Sequence, residues 1–120
     1  MLDNMAEENQ NSFSIVMPTC GRPNLTIRAI QSIQGQIYPN WEMIIVEDGS
    51  GSEVKAVIQN YIESQNDNRL RLIHHGVRMQ RLVARNTGLR AAKNEWICHL
   101  DSDDEYSRVY LDCMDWAIKE

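Results

Sequence analysis

The chain has 120 residues, 42% of them hydrophobic and 24% charged, with a formal net charge of −5. That length holds one domain built on a single sheet-and-helix core. The charge excess lies in residues 101–120, where seven acidic side chains stand against two basic ones. A nucleic-acid partner needs a basic surface that displaces counterions, so no nucleic acid is expected.

Cysteine usage and the termini add further exclusions. Cys20, Cys98 and Cys113 are widely spaced and odd in number, which fits neither a zinc site nor a disulfide framework. A reducing, cytoplasmic compartment is expected. The opening MLDNMAEENQNS lacks the basic and apolar regions of a signal peptide and reads as a flexible leader over 1–12. No run approaches the ~18 apolar residues of a membrane span.

From residue 13 onward, short apolar runs alternate with amphipathic ones. FSIVMPT (13–19) reads as a buried strand. A helix follows from Pro23, with Leu25, Ala29, Ile30 and Ile33 on one face, and ends near Gly35. WEMIIVED (41–48) reads as a second buried strand. Ser52 can cap the next helix, whose stripe is Val54, Val57, Ile58, Tyr61 and Ile62, and SQNDN (64–68) stops it. RLRLIHH (69–75) alternates like a third strand. A helix over roughly 80–93, a fourth strand at EWICHL (95–100) and a helix from about Ser107 complete the pattern.

Strands alternating with helices imply an open, mostly parallel, Rossmann-like α/β sheet with helices on both faces and strand order 3-2-1-4. Such sheets bind ligands outside the carboxyl ends of the strands, where the order reverses. Three places are therefore candidates: Thr19–Arg22, Glu47–Ser50 and Asp101–Glu105. The last holds four acidic residues in five positions. Crowded carboxylates repel unless a cation sits among them, and hard ions such as Mg²⁺ or Mn²⁺ favour oxygen ligands. The alternative is a strand end whose acidic residues cap the next helix.

Asp48, before GSGS, can accept a hydrogen bond from a base or ribose, or serve an ordinary Asp-Gly turn. Arg78, Arg81 and Arg85 fall at i, i+3 and i+7, a phosphate-binding or simply solvated face of the helix expected over roughly 80–93. Asn86 and Gly88 are poor helix formers there and call for close packing or a hydrogen bond. His74, His75 and His99 read as surface or satisfied core residues. EDGSGS is neither a dinucleotide fingerprint nor a P-loop.

Four segments together, SIVMPTCGRP (14–23), EMIIVEDGS (42–50), ARNTGLRAA (84–92) and EWICHLDSDD (95–104), resemble the family-two glycosyltransferases, inverting enzymes of the GT-A fold. The resemblance spans about 13–110 and implies a metal-dependent transferase using a nucleoside-diphosphate sugar, a UDP-sugar by family habit. It implies that Pro18, Thr19, Arg22 and Ser102 lie beside the nucleotide, with Asp48 on the base and Arg85 near the base or diphosphate. Asp101 and Asp103 match the family's DxD, holding the ribose and an Mg²⁺ or Mn²⁺ ion, while Asp104 supports that loop.

Family members continue into an acceptor-binding half that supplies the catalytic base. Residues 13–120 are therefore expected to be a donor domain truncated before that half, with acceptor and base unassigned. Apolar surface left by the truncation makes a homodimer one expected outcome, and peripheral membrane association stays open. A non-catalytic nucleotide-binding or assembly module and a nucleotidyltransferase are the alternatives. The second calls for a glycine-rich basic loop after the first strand, which CGRPN does not supply. A receiver-like domain leaves ARNTG unexplained.

Overall fold

The computed structural model describes residues 10–120. Of the expected leader, residues 1–9 lie outside the described residues. Asn11 is already packed, donating through Nδ2 to Asp115 at 2.9 Å and accepting from the Tyr38 hydroxyl.

Four parallel strands, β1 (Phe13–Thr19), β2 (Trp41–Asp48), β3 (Leu70–His75) and β4 (Trp96–His99), form one sheet in the order β3-β2-β1-β4. This is the expected topology. The helices are α1 (Pro23–Gln34), α2 (Ser52–Gln65), α3 (Arg81–Ala91) and α4 (Tyr110–Lys119).

β1 and β2 are central and buried along their whole length, which is why both read as continuous apolar runs. Their side chains alternate between two cores. Phe13, Ile15, Met17, Met43 and Ile45 pack with Ile30 and Ile33 of α1, Ile58 of α2 and Leu111 of α4. On the opposite face Val16, Ile44 and Val46 meet Ala84 of α3. Gly88 is the reason α3 comes so close, because a Cβ there would lie 2.4 Å from Val16 Cγ1. The poor helix former is thus a packing requirement. Nothing in the structure explains Asn86, which is exposed.

The helices depart from expectation in three places. Ser52 is the first residue of α2 and caps nothing; Gly51, at φ 100°, is the N-cap. In the same helix Val57 faces water at 42% exposure, so the apolar stripe is narrower than expected. α4 begins at Tyr110 rather than Ser107, because its acceptor comes from elsewhere in the chain. Gln36 Oε1 receives the Leu111 N–H at 3.0 Å while Gln36 Nε2 donates to Ser107 O. Residues 107–109 are held as a turn ahead of the helix.

The amino-terminal edge of the sheet carries a closed polar cluster. Glu42, buried, accepts from Ser14 Oγ at 2.6 Å, the Lys93 N–H at 2.6 Å and Arg71 at 3.0 Å. Burial alone would raise its pKa, yet these donors outweigh it and hold the carboxyl below its ordinary range. Asn94 completes the cluster by donating to Ser14 Oγ and Phe13 O, which fixes the turn from α3 into β4.

Candidate functional site

The opposite edge gathers the three expected places and a fourth segment, a strap at 76–80 between β3 and α3. The β1 loop is held first. Thr19 and Thr26 share a hydroxyl hydrogen bond of 2.7 Å, and Thr26 donates onward to Arg22 O. Gly21 N–H donates to Ser50 Oγ at 2.8 Å, tying this loop to the next. Arg22, in the left-handed region at φ 48°, then opens α1 with its side chain outward.

Glu47 shapes the second loop. Its carboxylate is 2% exposed and accepts from the Ser50 N–H at 2.6 Å and from Ser50 Oγ. It therefore builds the turn and offers nothing to a ligand. Asp48, one residue on, is 3% exposed and has two donors on Oδ1: His75 Nδ1 at 2.9 Å and the Met79 N–H at 2.8 Å. Burial pushes the Asp48 pKa up, but His75 and the Met79 and Gln80 N–H groups outweigh it and lower it. The strap lies directly over this turn, since a Cβ on Gly49 would sit 2.4 Å from Arg78 N.

Pro18, Thr19, Arg22, Asp48 and Ser102 line one cleft of about 120 Å³, together with Arg78 and Arg81. Five of the seven residues expected at the nucleotide thus share a single space. Arg85 and Asp101 line a neighbouring hollow with Asp104, Glu105 and Tyr106. Arg85 Nε is buried there without a hydrogen-bond partner. The expected single face of Arg78, Arg81 and Arg85 does not exist. α3 starts only at Arg81, so Arg78 is in the strap, and Arg81 and Arg85 address different hollows.

Asp101, Asp103 and Asp104 each offer a carboxylate oxygen, and these oxygens lie within 4.8 Å of one another. Three hard oxygen donors on one short loop suit a Mg²⁺- or Mn²⁺-sized ion that completes its shell with phosphate and water. Asp103 also faces Arg22 at 3.9 Å. The loop is anchored by the Asp104 N–H on Asp101 O and by Arg28, which reaches Glu105 at 2.9 Å.

His75, read from the sequence as a surface or satisfied-core residue, is satisfied and holds a positioning role that the sequence did not assign it. It bridges Asp48 through Nδ1 and Thr87 of α3 through Nε2, both at 2.9 Å. The available signal was the parallel register, which sets Asp48 opposite His75 and Glu47 opposite His74. Given the strand order, ED and HH become facing pairs.

Known proteins resemble this chain in sequence and in fold. The chain is 41% identical over 100 residues to the putative colanic acid biosynthesis glycosyl transferase WcaA of Escherichia coli K12, covering 83% of this chain and 35% of that protein. It is 33% identical over 94 residues to a GalNAc(5)-diNAcBac-PP-undecaprenol beta-1,3-glucosyltransferase of Campylobacter jejuni, covering 78% and 30%. The mannosyltransferase PcManGT of Pyrobaculum calidifontis, solved with GDP-Man and Mn²⁺, superposes with a TM-score of 0.81 at 24% identity, covering 89% of this chain and 32% of that one. S. aureus TarS 1–349 in complex with UDP-GlcNAc gives 0.80 at 22%, covering 90% and 31%. These structural likenesses establish the GT-A fold. The chain spans about a third of the length of each of these four proteins. Residues 14–112 match the model of glycosyl transferase family 2, and the chain belongs to that family.

Proposed function

We propose that residues 13–120 form the donor-binding domain of an inverting glycosyltransferase, which takes a nucleoside-diphosphate sugar together with Mg²⁺ or Mn²⁺. The observation that carries this reading is the convergence at the carboxyl edge. Five residues expected at a nucleotide line one cleft, and three carboxylate oxygens suited to a hard cation stand beside it.

Pro18 and Thr19 form the wall against which a nucleoside rests, and the buried Asp48 carboxylate lies at its floor. Asp48 Oδ1 is occupied by His75 and Met79, so a base or ribose hydrogen bond falls to Oδ2. Asp101 and Asp103 hold the cation, with Asp104 as a third donor. Ser102 lies between them at the cleft. Arg85, with its unpartnered Nε, is placed to meet ribose or phosphate oxygens. The cation supplies positive charge beside the diphosphate that departs when the sugar is transferred. An acceptor hydroxyl needs a general base, and the acceptor-binding half is where that base is assigned. UDP-GlcNAc in TarS and GDP-Man in PcManGT support a nucleotide-sugar donor and leave the base to experiment.

Calorimetric titration of UDP, GDP and dTDP, with and without Mn²⁺, tests the reading. Binding of one nucleotide that manganese strengthens, the gain lost on Asp103→Ala, is the expected result. A folded protein that binds none of the three sinks it.

A further inference from the structure

The arginines of the 120 Å³ cleft are not equivalent. Arg22 has a counterion, Asp103 at 3.9 Å. Arg78 and Arg81 are exposed and form no ion pair among the described residues. Two unpaired cations lining one cleft repel each other, and a flexible loop would let them part.

The strap prevents that separation. Asp48 takes the Met79 N–H at 2.8 Å, and Gly49 admits the Arg78 backbone where any side chain would collide at 2.4 Å. Gln80 is held at φ 81°, ψ 157°, a region in which non-glycine residues are strained and persist only where the surroundings impose it. His75 in turn fixes Asp48 against Thr87 of α3. Arg81 then opens α3, whose first turn has no side-chain cap and carries the positive end of the helix dipole.

We propose that Arg78 and Arg81 grip the diphosphate of the ligand, positioned by Asp48 and His75 through the strap, and that this grip operates without the cation. The inference rests on the nucleotide reading of the cleft. A planar guanidinium bonds two oxygens of one phosphate, so two neighbouring forks fit adjacent phosphates better than a lone carboxylate. Asp48 and His75 are positioning residues, and the arginines make the contact.

The experiment is calorimetry in EDTA with inorganic pyrophosphate, UDP and uridine. The 120-residue chain is compared with its Arg78→Ala/Arg81→Ala and Arg78→Lys/Arg81→Lys variants, both substituted at exposed positions. Pyrophosphate and UDP affinities are expected to fall about tenfold or more in the alanine variant, with partial recovery in the lysine variant and uridine unaffected. His75→Asn keeps a donor for Asp48 and should retain both pyrophosphate affinity and hydrogen-exchange protection of the Met79 amide. His75→Ala should lose both.

Unchanged pyrophosphate affinity in the alanine variant overturns the inference while leaving manganese-dependent nucleotide binding intact. Arginine-dependent pyrophosphate binding with no gain for UDP upholds the inference and overturns the nucleotide reading instead. A wild-type chain that binds no pyrophosphate overturns the inference outright.

Discussion

The two edges of the sheet are made of the same residue types and treat them oppositely. At the amino-terminal edge, Glu42, Ser14, Arg71 and Asn94 donate to and accept from one another until the carboxylate is saturated. At the carboxyl edge, Asp103 and Asp104 are exposed, Arg78 and Arg81 have no ion-pair partner among the described residues, and Arg85 Nε is orphaned. Buried polar groups that serve the fold are as a rule satisfied within it, Trp41 Nε1 being the exception at the amino-terminal edge among the described residues. Charge left open beside a cleft is charge available to something that arrives. What lies beneath the open edge is held again, since Glu47 is bonded within the turn and Asp48 is bonded to His75 of β3 and to the strap.

The largest effect expected from breaking this contrast is at the open edge. Asp103→Ala should weaken manganese-dependent nucleotide binding by at least about 100-fold, beyond the usual cost of losing an outer-shell partner. Its melting temperature should not fall, because the side chain is exposed. A stability loss there would place Asp103 with the closed networks.

Glu42→Ala is the mirror experiment. Removing the acceptor strands Arg71 and the Lys93 N–H and should destabilise the fold by about 3 kcal/mol, read by urea unfolding, with nucleotide affinity unchanged. The pH dependence has a definite sign. The folded pKa values of Glu42 and Asp48 lie below their ordinary values of 4.5 and 3.8, so both groups stabilise the fold above those values. That stability is lost as pH falls through the folded pKa values, and Glu42→Gln should shallow the acid limb below about pH 4.5. An identical limb in the variant contradicts the cluster's role.

Two backbone positions sharpen the contrast with smaller effects. Gly88→Ala drives a methyl into Val16 and should cost about 2 kcal/mol on unfolding, despite the better helix propensity of alanine. Gln80→Gly should do the reverse, adding about 1 kcal/mol by relieving the φ 81° backbone. Destabilisation by Gln80→Gly would mean that the strap is not strained.

The difference between the edges also explains what could be read from sequence. β1 and β2 were legible because strands covered on both faces become unbroken apolar runs, and the strand order follows from connection rules. The acidic loop was legible because its carboxylates are contiguous. The start of α4 was hidden, since its cap arrives from Gln36, far away in sequence. The role of His75 depends on strand register, which residue types alone do not reveal. The arginine row failed for a related reason. Helical spacing applies only inside a helix, and the Asp48 clamp on Met79 keeps Arg78 outside it.

The most direct test of the central claim compares the two edges in one spectrum. Sub-stoichiometric Mn²⁺ is added with UDP to the ¹⁵N-labelled chain, and paramagnetic broadening is mapped residue by residue. The account predicts that the amides of 101–104 broaden first, with those of the 19–22 and 48–51 loops next, while Glu42, Lys93 and Asn94 remain sharp. Broadening centred on the acidic residues of α4, or spread evenly over the surface, would contradict it.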